Sequence, residues 1–587
     1  MLTPSSHSLV SYSLAIVLIY QCFLTCLCNH GSHKEVLVKT KQGHIVGTET
    51  TFLGEKVNSF LSVPFAEPPI GNLRFKVPLP KKIWNGTLKT QRLAPACFQG
   101  RDTYNETFWG SEMWNANTEI REDCLYMNIW APANAHNLTV MVWLFGGGFH
   151  SGSPSLILYD GKTLALQGNV VVININYRVG PFGYLFLDHG DAPGNMGMLD
   201  QQLALKWIKD NVAQFGGNPG QISLFGESAG ASSIVAHLIA PASRGIFKNG
   251  ILQSGSLDNK WSMDTPERAL EKSRKLADLV QCNKTTTQAT IQCLRDVHPG
   301  LLVDNMWDIL NYFLEFPFVM VSKDANFFRD EDAFDALRNK HYRNDVNLMI
   351  GINHDEGNFW NIYNLKDYFD KAEQPLLSYD DFSKCVDEAF KDQPSVVRNS
   401  AKQMYSERQC ELGPGKHKYY SDQVNQMVGD YFFTCDSLWL AEQYENNPGK
   451  VYVYYFDQPS SANPWPSWTG VMHGYEIEYV FGVPIYNTTA NYSKREYNLS
   501  QRMIQYWTTF ASTGKPTLKT MTSEEWPEYN GGAKWGKWMN LKGGSHMKAV
   551  KSSKEKECAM WREVKDMEYK NYTHSKFSLD SVNKIYH

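Results

Sequence analysis

The pentapeptide Gly226-Glu227-Ser228-Ala229-Gly230 sets a hydroxyl between two residues that carry no β-carbon. An apolar run, residues 222–225, precedes it, and a helical pattern, residues 231–238, follows. A serine on a sharp turn from strand to helix can be held at a strained backbone angle, with its Oγ clear of packing. The flanking glycines permit so tight a turn. Such a serine attacks a carbonyl once a neighbouring base takes its proton. A second motif, Gly146-Gly147-Gly148, follows the apolar run 140–145. Consecutive glycines let main-chain N–H groups approach a developing oxyanion. With the amide that follows the serine, the donors would be Gly147, Gly148 and Ala229. A chance pentapeptide and a merely flexible turn are the plain alternatives, and the strand and helix patterns around the serine weigh against both.

These groups need a rigid frame. Short β-branched runs recur at residues 140–145, 170–177, 222–225, 346–352 and 451–456, which suits strands buried on both faces. Between two of them, Leu199, Leu203, Trp207, Ile208 and Val212 share one helical face, and Gly216-Gly217 ends the pattern. Strand and helix in alternation predict an α/β fold, a mostly parallel sheet with helices on both faces. The 587 residues alone would suggest several domains at roughly 150 residues each, yet no repeat or linker divides them. A net charge of -4 leaves no footprint for nucleic acid or an anionic membrane.

Residues 1–28 contain no Asp, Glu, Lys or Arg and are mostly apolar, which reads as a secretory signal peptide; an uncleaved anchor is the alternative. Sequons at Asn85, Asn105, Asn137, Asn283, Asn487, Asn491, Asn498 and Asn571 agree with export and an extracellular location. Removing the leader removes Cys22, Cys26 and Cys28, and leaves an even set of cysteines suited to disulfides.

Further segments carry a resemblance. Pro64-Phe65-Ala66-Glu67-Pro68-Pro69, Glu122-Asp123-Cys124-Leu125-Tyr126-Met127-Asn128, Gly194-Asn195, Leu199-Asp200-Gln201-Gln202 and Gln253-Ser254-Gly255 occur in order. With the glycine motifs, they resemble the type-B carboxylesterases and, among these, the acetylcholinesterases, from about Glu35 to about Asn571. The resemblance implies the α/β-hydrolase fold with helical and loop insertions, as one catalytic domain at 29–575 and a short polar tail at 576–587. It implies the chain order serine, acid, histidine: Ser228, then Glu356 with Asp355 as its adjacent rival, then His473 in Met472-His473-Gly474-Tyr475-Glu476-Ile477. The chemistry would be ester hydrolysis through an acyl-enzyme, with no metal or organic cofactor.

A choline ester needs a receptor for a cation that donates no hydrogen bond, and aromatic faces supply one. Ser111-Glu112-Met113-Trp114-Asn115 resembles the segment carrying the family's choline platform, which points to Trp114. The resemblance adds Glu227, Phe359 and Tyr159 around the cation, Asp102 and Trp307 at a peripheral rim site, and Trp261, Leu314 and Phe316 in the acyl pocket. Leu314 stands where vertebrate relatives have Phe, which implies acetyl esters with larger acyl groups tolerated. His150 and Gly100 replace tyrosines usual in the upper gorge.

The resemblance pairs Cys97–Cys124, Cys282–Cys293 and Cys435–Cys558. Cys385 and Cys410 are left over and are expected to pair. No cysteine follows Cys558 and no tail anchor is visible, so the expected form is a secreted monomer or non-covalent dimer without a stable membrane anchor, resembling invertebrate, nematode-type enzymes. Two rival functions remain: a general carboxylesterase on neutral esters, and an adhesion protein of the neuroligin type. The first lacks the Trp114 platform and the second lacks the serine.

Overall fold

The five apolar runs form the middle of one thirteen-stranded sheet in the computed structural model. The structure describes residues 34–583 except 330, 407–415, 445–446, 519–524, 530–535 and 545–546, and no side chains at 416–418 or 574–583. The expected leader and Cys410 therefore lie outside the described residues. In chain order the strands are β1 Lys34–Lys39, β2 His44–Phe52, β3 Glu55–Pro64, β4 Thr87–Lys89, β5 Tyr126–Pro132, β6 Leu138–Leu144 and β7 Val171–Ile175. They continue with β8 Gly217–Glu227, β9 Asn249–Gln253, β10 Asn347–Asn353, β11 Val451–Phe456, β12 Lys537–Leu541 and β13 Lys548–Lys551. Their spatial order is 1-2-3-5-7-6-8-9-10-11-12-13, with β4 beside β2. From β7 to β12 every pairing is parallel. The path from β1 to β7 and the β12–β13 edge are antiparallel.

The parallel strands are mostly buried, so both faces must be covered. The helices that matter here are α1 Met196–Asn211, α2 Ala229–Ile239, α3 Pro266–Leu279, α4 Ala333–Asn339, α5 Glu356–Asn364, α6 Lys416–Gly429, α7 Cys435–Gln443, α8 Lys494–Thr513 and α9 Glu555–Asn583. Adjacent residues of β9 identify the two layers. Gly250 faces Ile234 of α2, while the Asn249 side chain donates to the Ala511 carbonyl of α8 at 2.9 Å. Successive side chains of a strand point to opposite faces, so α2 and α8 sandwich the sheet directly below the serine.

The face of α1 differs from the expectation. Trp207, Ile208 and Val212 are buried, but Leu199 and Leu203 are only half-buried. Two polar side chains take the interior instead. Asp200 meets Arg178 Nε at 2.7 Å, and Gln201 donates to Ser233 at 3.1 Å. A paired charge and a satisfied amide can be buried, and here they rotate the helix toward their partners.

Disulfides join Cys97–Cys124, Cys282–Cys293 and Cys435–Cys558. Cys385 is buried and has no disulfide partner among the described residues. The last disulfide ties α7 to α9, and α9 runs across the expected tail boundary at 575–576 as one continuous helix. Among the described residues no helix is long and apolar enough to cross a membrane.

Candidate active site

Ser228 sits at the end of β8, where the chain turns into α2. Its φ of 55° and ψ of -119° lie outside the regions that a serine prefers. Two main-chain bonds hold it there: Ser228 N donates to Gln253 O at 2.8 Å, and Ser232 N donates to Ser228 O at 3.0 Å. A β-carbon on Gly230 would lie 1.9 Å from the Leu144 carbonyl oxygen, so only glycine lets α2 approach β6 this closely. The helix begins at Ala229, two residues earlier than the sequence pattern indicates. Its first N–H groups and its dipole therefore point at the serine. Gly147 and Gly148, at φ 114° and 56°, line the same cavity beside it.

The histidine comes from the loop after β11. His473 Nδ1 lies 2.7 Å from Glu356 Oε2. The other oxygen of Glu356 accepts from Ser254 Oγ at 2.6 Å and from Asn353 N at 2.7 Å. Three donors around a buried carboxylate fix its direction. Asp355 turns away from the ring. It accepts from Asn425 at 2.8 Å and from Val471 N at 2.8 Å, and so anchors the segment leading to His473. Behind them Glu476, fully buried, accepts from Gln253 at 2.9 Å and from Asn353 at 2.7 Å. That carboxylate joins the ends of β9 and β10 to the histidine loop.

The other ring nitrogen is the unexpected feature. Among the described residues, His473 Nε2 makes no hydrogen bond, to Ser228 or to any other group. It lies 3.0 Å from Glu227 Oε1, which is equally buried and equally unsatisfied. Hydrogen bonds of this kind often tighten only with substrate in place. Burial pushes Glu227 up to about 8, against the pull of His473, and Glu476 and Glu356 add to the rise. Burial opposes charge on His473, but Glu227 and Glu356 outweigh it and raise the ring to about 9. The two groups face each other across 3.0 Å, so the titration of each depends on the charge of the other.

These groups open onto a cavity of about 520 Å³. Trp114, Tyr159, Phe359, Leu314 and Phe316 line it, as do Asp102 and Trp307 toward the outside. Trp114 stands over the histidine loop: a β-carbon on Gly474, at φ 83°, would lie 2.9 Å from the indole and 3.6 Å from Glu227 Oε1. At the outer end Asp102 accepts from Tyr363 at 2.5 Å. Trp261 does not line the cavity. It stands one layer back, 6.1 Å from the Phe316 ring, with its indole N–H on Phe432 O at 2.8 Å.

The sequence model described as the carboxylesterase family matches residues 34–561, nearly the whole described chain. The chain belongs to the carboxylesterase family. Over 557 residues it is 55% identical to acetylcholinesterase 4 of Caenorhabditis briggsae, with 92% of each chain covered. It is 39% identical to an acetylcholinesterase of Bungarus fasciatus, over 85% of this chain and 82% of that one. It is 38% identical to a cholinesterase of Mus musculus, over 86% and 84%. As a carboxylesterase-family serine hydrolase, it cleaves carboxylic esters.

Within this carboxylesterase frame, three aromatic residues of the site escaped the sequence reading. Trp360 follows Phe359 on α5 and stacks on Phe433 with centroids 5.8 Å apart. Phe433 lies 4.5 Å from the His473 ring and 5.6 Å from Trp261. It belongs to a π-helical turn, Asp430–Thr434, that joins α6 to α7. Such a turn carries one extra residue and often lies at a functional site. Tyr363, which holds Asp102, is the third. Only Trp360, adjacent to a quoted residue, had a signal in the sequence. His150 packs edge-on against Trp307 at 4.8 Å, and its enclosure lowers it to about 4, so the imidazole is neutral. The sequon asparagines are exposed except Asn487, which is half-buried.

Proposed function

We propose that this chain hydrolyses acetylcholine to choline and acetate, with Ser228, Glu356 and His473 as the triad. His473 Nε2 takes the Ser228 proton as Oγ bonds to the ester carbonyl carbon. Glu356 orients the ring through Nδ1 and stabilises the imidazolium. The tetrahedral oxyanion is held by the amides of Gly147, Gly148 and Ala229, each worth about 3–4 kcal/mol in such a site. His473 returns the proton to the choline oxygen as the carbon–oxygen bond breaks, and water then repeats the sequence on the acyl-enzyme.

The observation that carries the choline assignment is the place of Trp114. Its indole, Glu227 and the serine share one cavity, and only the bare backbone of Gly474 separates the first two. An aromatic face contributes about 0.5–2 kcal/mol to a quaternary ammonium, and Phe359 and Tyr159 offer further faces. Asp102 and Trp307 would receive the cation first. Phe316 and Leu314, backed by Trp261, would take the acetyl group. The leader, the sequons and the three disulfides support secretion, with action outside the cell as a monomer or non-covalent dimer.

The test compares kcat/KM for acetylcholine with that for 3,3-dimethylbutyl acetate, the neutral carbon isostere. An advantage of about tenfold or more for the cation, erased by Trp114→Ala, is the expected result. Equal turnover of the two esters would show a general carboxylesterase.

A further inference from the structure

The segment that forms the acyl wall has a second side. Tyr312, Leu314 and Glu315 line the active-site cavity and also a separate cavity of about 250 Å³ behind it. That second space is enclosed by α3, α4, the π-helical turn and α9. Aromatic rings supply much of its wall, among them Phe334, Tyr431 and Tyr569.

One polar group in this wall lacks what a buried polar group needs. Asp258 is 8% exposed, and its Oδ2 accepts no hydrogen bond among the described residues. Arg338 Nη2 pairs with it only loosely, at 3.5 Å and without a hydrogen bond, and Lys565 spends its ammonium on the main-chain oxygen of Asp258 and on Asp436, at 2.9 and 3.2 Å. The other basic side chains of the wall have carboxylates of their own: Lys260 meets Glu568 at 2.8 Å, and Arg268 meets Glu315 at 2.6 Å. An anion entering here would find its partners already neutralised. A cation with N–H groups would find an unsatisfied carboxylate among aromatic faces, where it gains both a charge-assisted hydrogen bond and ring contacts.

We propose that this second cavity binds a small primary or secondary ammonium on an apolar body, with its N–H groups on Asp258, and that occupancy alters acyl selectivity through the shared segment 312–315. Burial, with Asp436 nearby, raises Asp258 above the ordinary carboxylate range, and a bound ammonium would return it to the ionised form. Leu314 sits at φ 51°, an uncommon angle for leucine, so the shared wall is held by its surroundings on both sides. The ligand differs in kind from choline, which has no N–H to donate. The binding claim stands apart from the proposed esterase reaction; the selectivity claim rests on it.

The probe is 2-phenylethylamine, titrated by calorimetry into the full chain with the active-site cavity saturated by phenyltrimethylammonium. Binding should persist under saturation. It should weaken by at least about tenfold for 2-phenylethanol, for the N-trimethylated amine and for Asp258→Asn. Loss of all binding under saturation, or equal binding of the amine and the alcohol, would overturn the proposal without depending on any variant folding. The second arm follows the ratio of kcat/KM for butyrylthiocholine and acetylthiocholine as amine is added. An amine that merely competes for the active site divides both values by one factor and leaves the ratio constant. A shift of about twofold or more in wild type, absent in Asp258→Asn, is expected. A constant ratio with intact calorimetric binding would refute the coupling. Failure to cleave either ester would remove the coupling together with the esterase reading, and the calorimetric result would still decide the site.

Discussion

Replacing Glu227 by Gln tests the proton arrangement around His473. The carboxylate oxygen lies 3.0 Å from Nε2. Unit charges at that distance attract by about 5–6 kcal/mol at an effective dielectric of about 20, an upper limit of roughly 4 pK units. The limit is not reached, because burial pushes Glu227 itself up to about 8 and it spends much of the neutral range protonated. A shift of about 1–2 units is therefore expected. The sign follows from the direction of the perturbation. Glu227 raises the histidine, so its removal lowers the histidine, and a neutral base becomes available at lower pH. The acid limb of the pH profile of kcat/KM should move down in Glu227→Gln. Measuring it with 3,3-dimethylbutyl acetate separates this effect from loss of cation binding, since the neutral ester has no charge for Glu227 to attract. An acid limb that stays in place or moves up would refute the inference that Glu227 raises His473.

Leu314→Phe should narrow the acyl pocket and lower kcat/KM for butyryl relative to acetyl esters by about tenfold or more, within the 1–3 kcal/mol available to such a wall. Gly148→Ala should lower kcat by about 10²–10³. Its β-carbon would meet the Phe316 ring at 2.8 Å with φ at 56°, so the oxyanion loop must move; an unchanged kcat would argue against that loop as a donor. Arg178→Met should destabilise the fold by about 3–5 kcal/mol, because it strands Asp200 with no exposure to water. The double variant with Asp200→Leu should recover most of the loss in thermal melts.

The sequence made the sheet's interior visible and its margins obscure, for one reason. Strands β6, β7, β10 and β11 and the second half of β8 are buried on both faces and mostly apolar, which leaves recognisable runs, whereas β9, as deeply buried, is short and begins and ends on polar residues and leaves none. Strands β1 to β3 are half-exposed, carry Lys, Glu and Thr along their length, and leave no such run. The same contrast applies at the site. Ser228 and the triglycine are local devices whose geometry is set by adjacent residues. His473 and Glu356 depend on Ser254, Asn353 and Glu476, which meet only because three parallel strands end side by side. No spacing rule connects such residues. The polar face of α1 misled the helical reading because its partners, Arg178 and Ser233, are also distant in sequence.

The π-helical turn at Asp430–Thr434 makes chain length itself a determinant of the packing behind the histidine ring. One surplus residue sets Phe433 against the histidine ring and directs the Phe432 carbonyl at Trp261. Loss of any single residue between α6 and α7 would restore a regular helix and turn every later side chain by about 100° relative to those before it. The disulfide at Cys435 fixes the far end of the turn, so the mismatch would fall on the turn itself rather than pass down the chain. A chain with an ordinary helix at this position would have to support the histidine ring and Trp261 from another element.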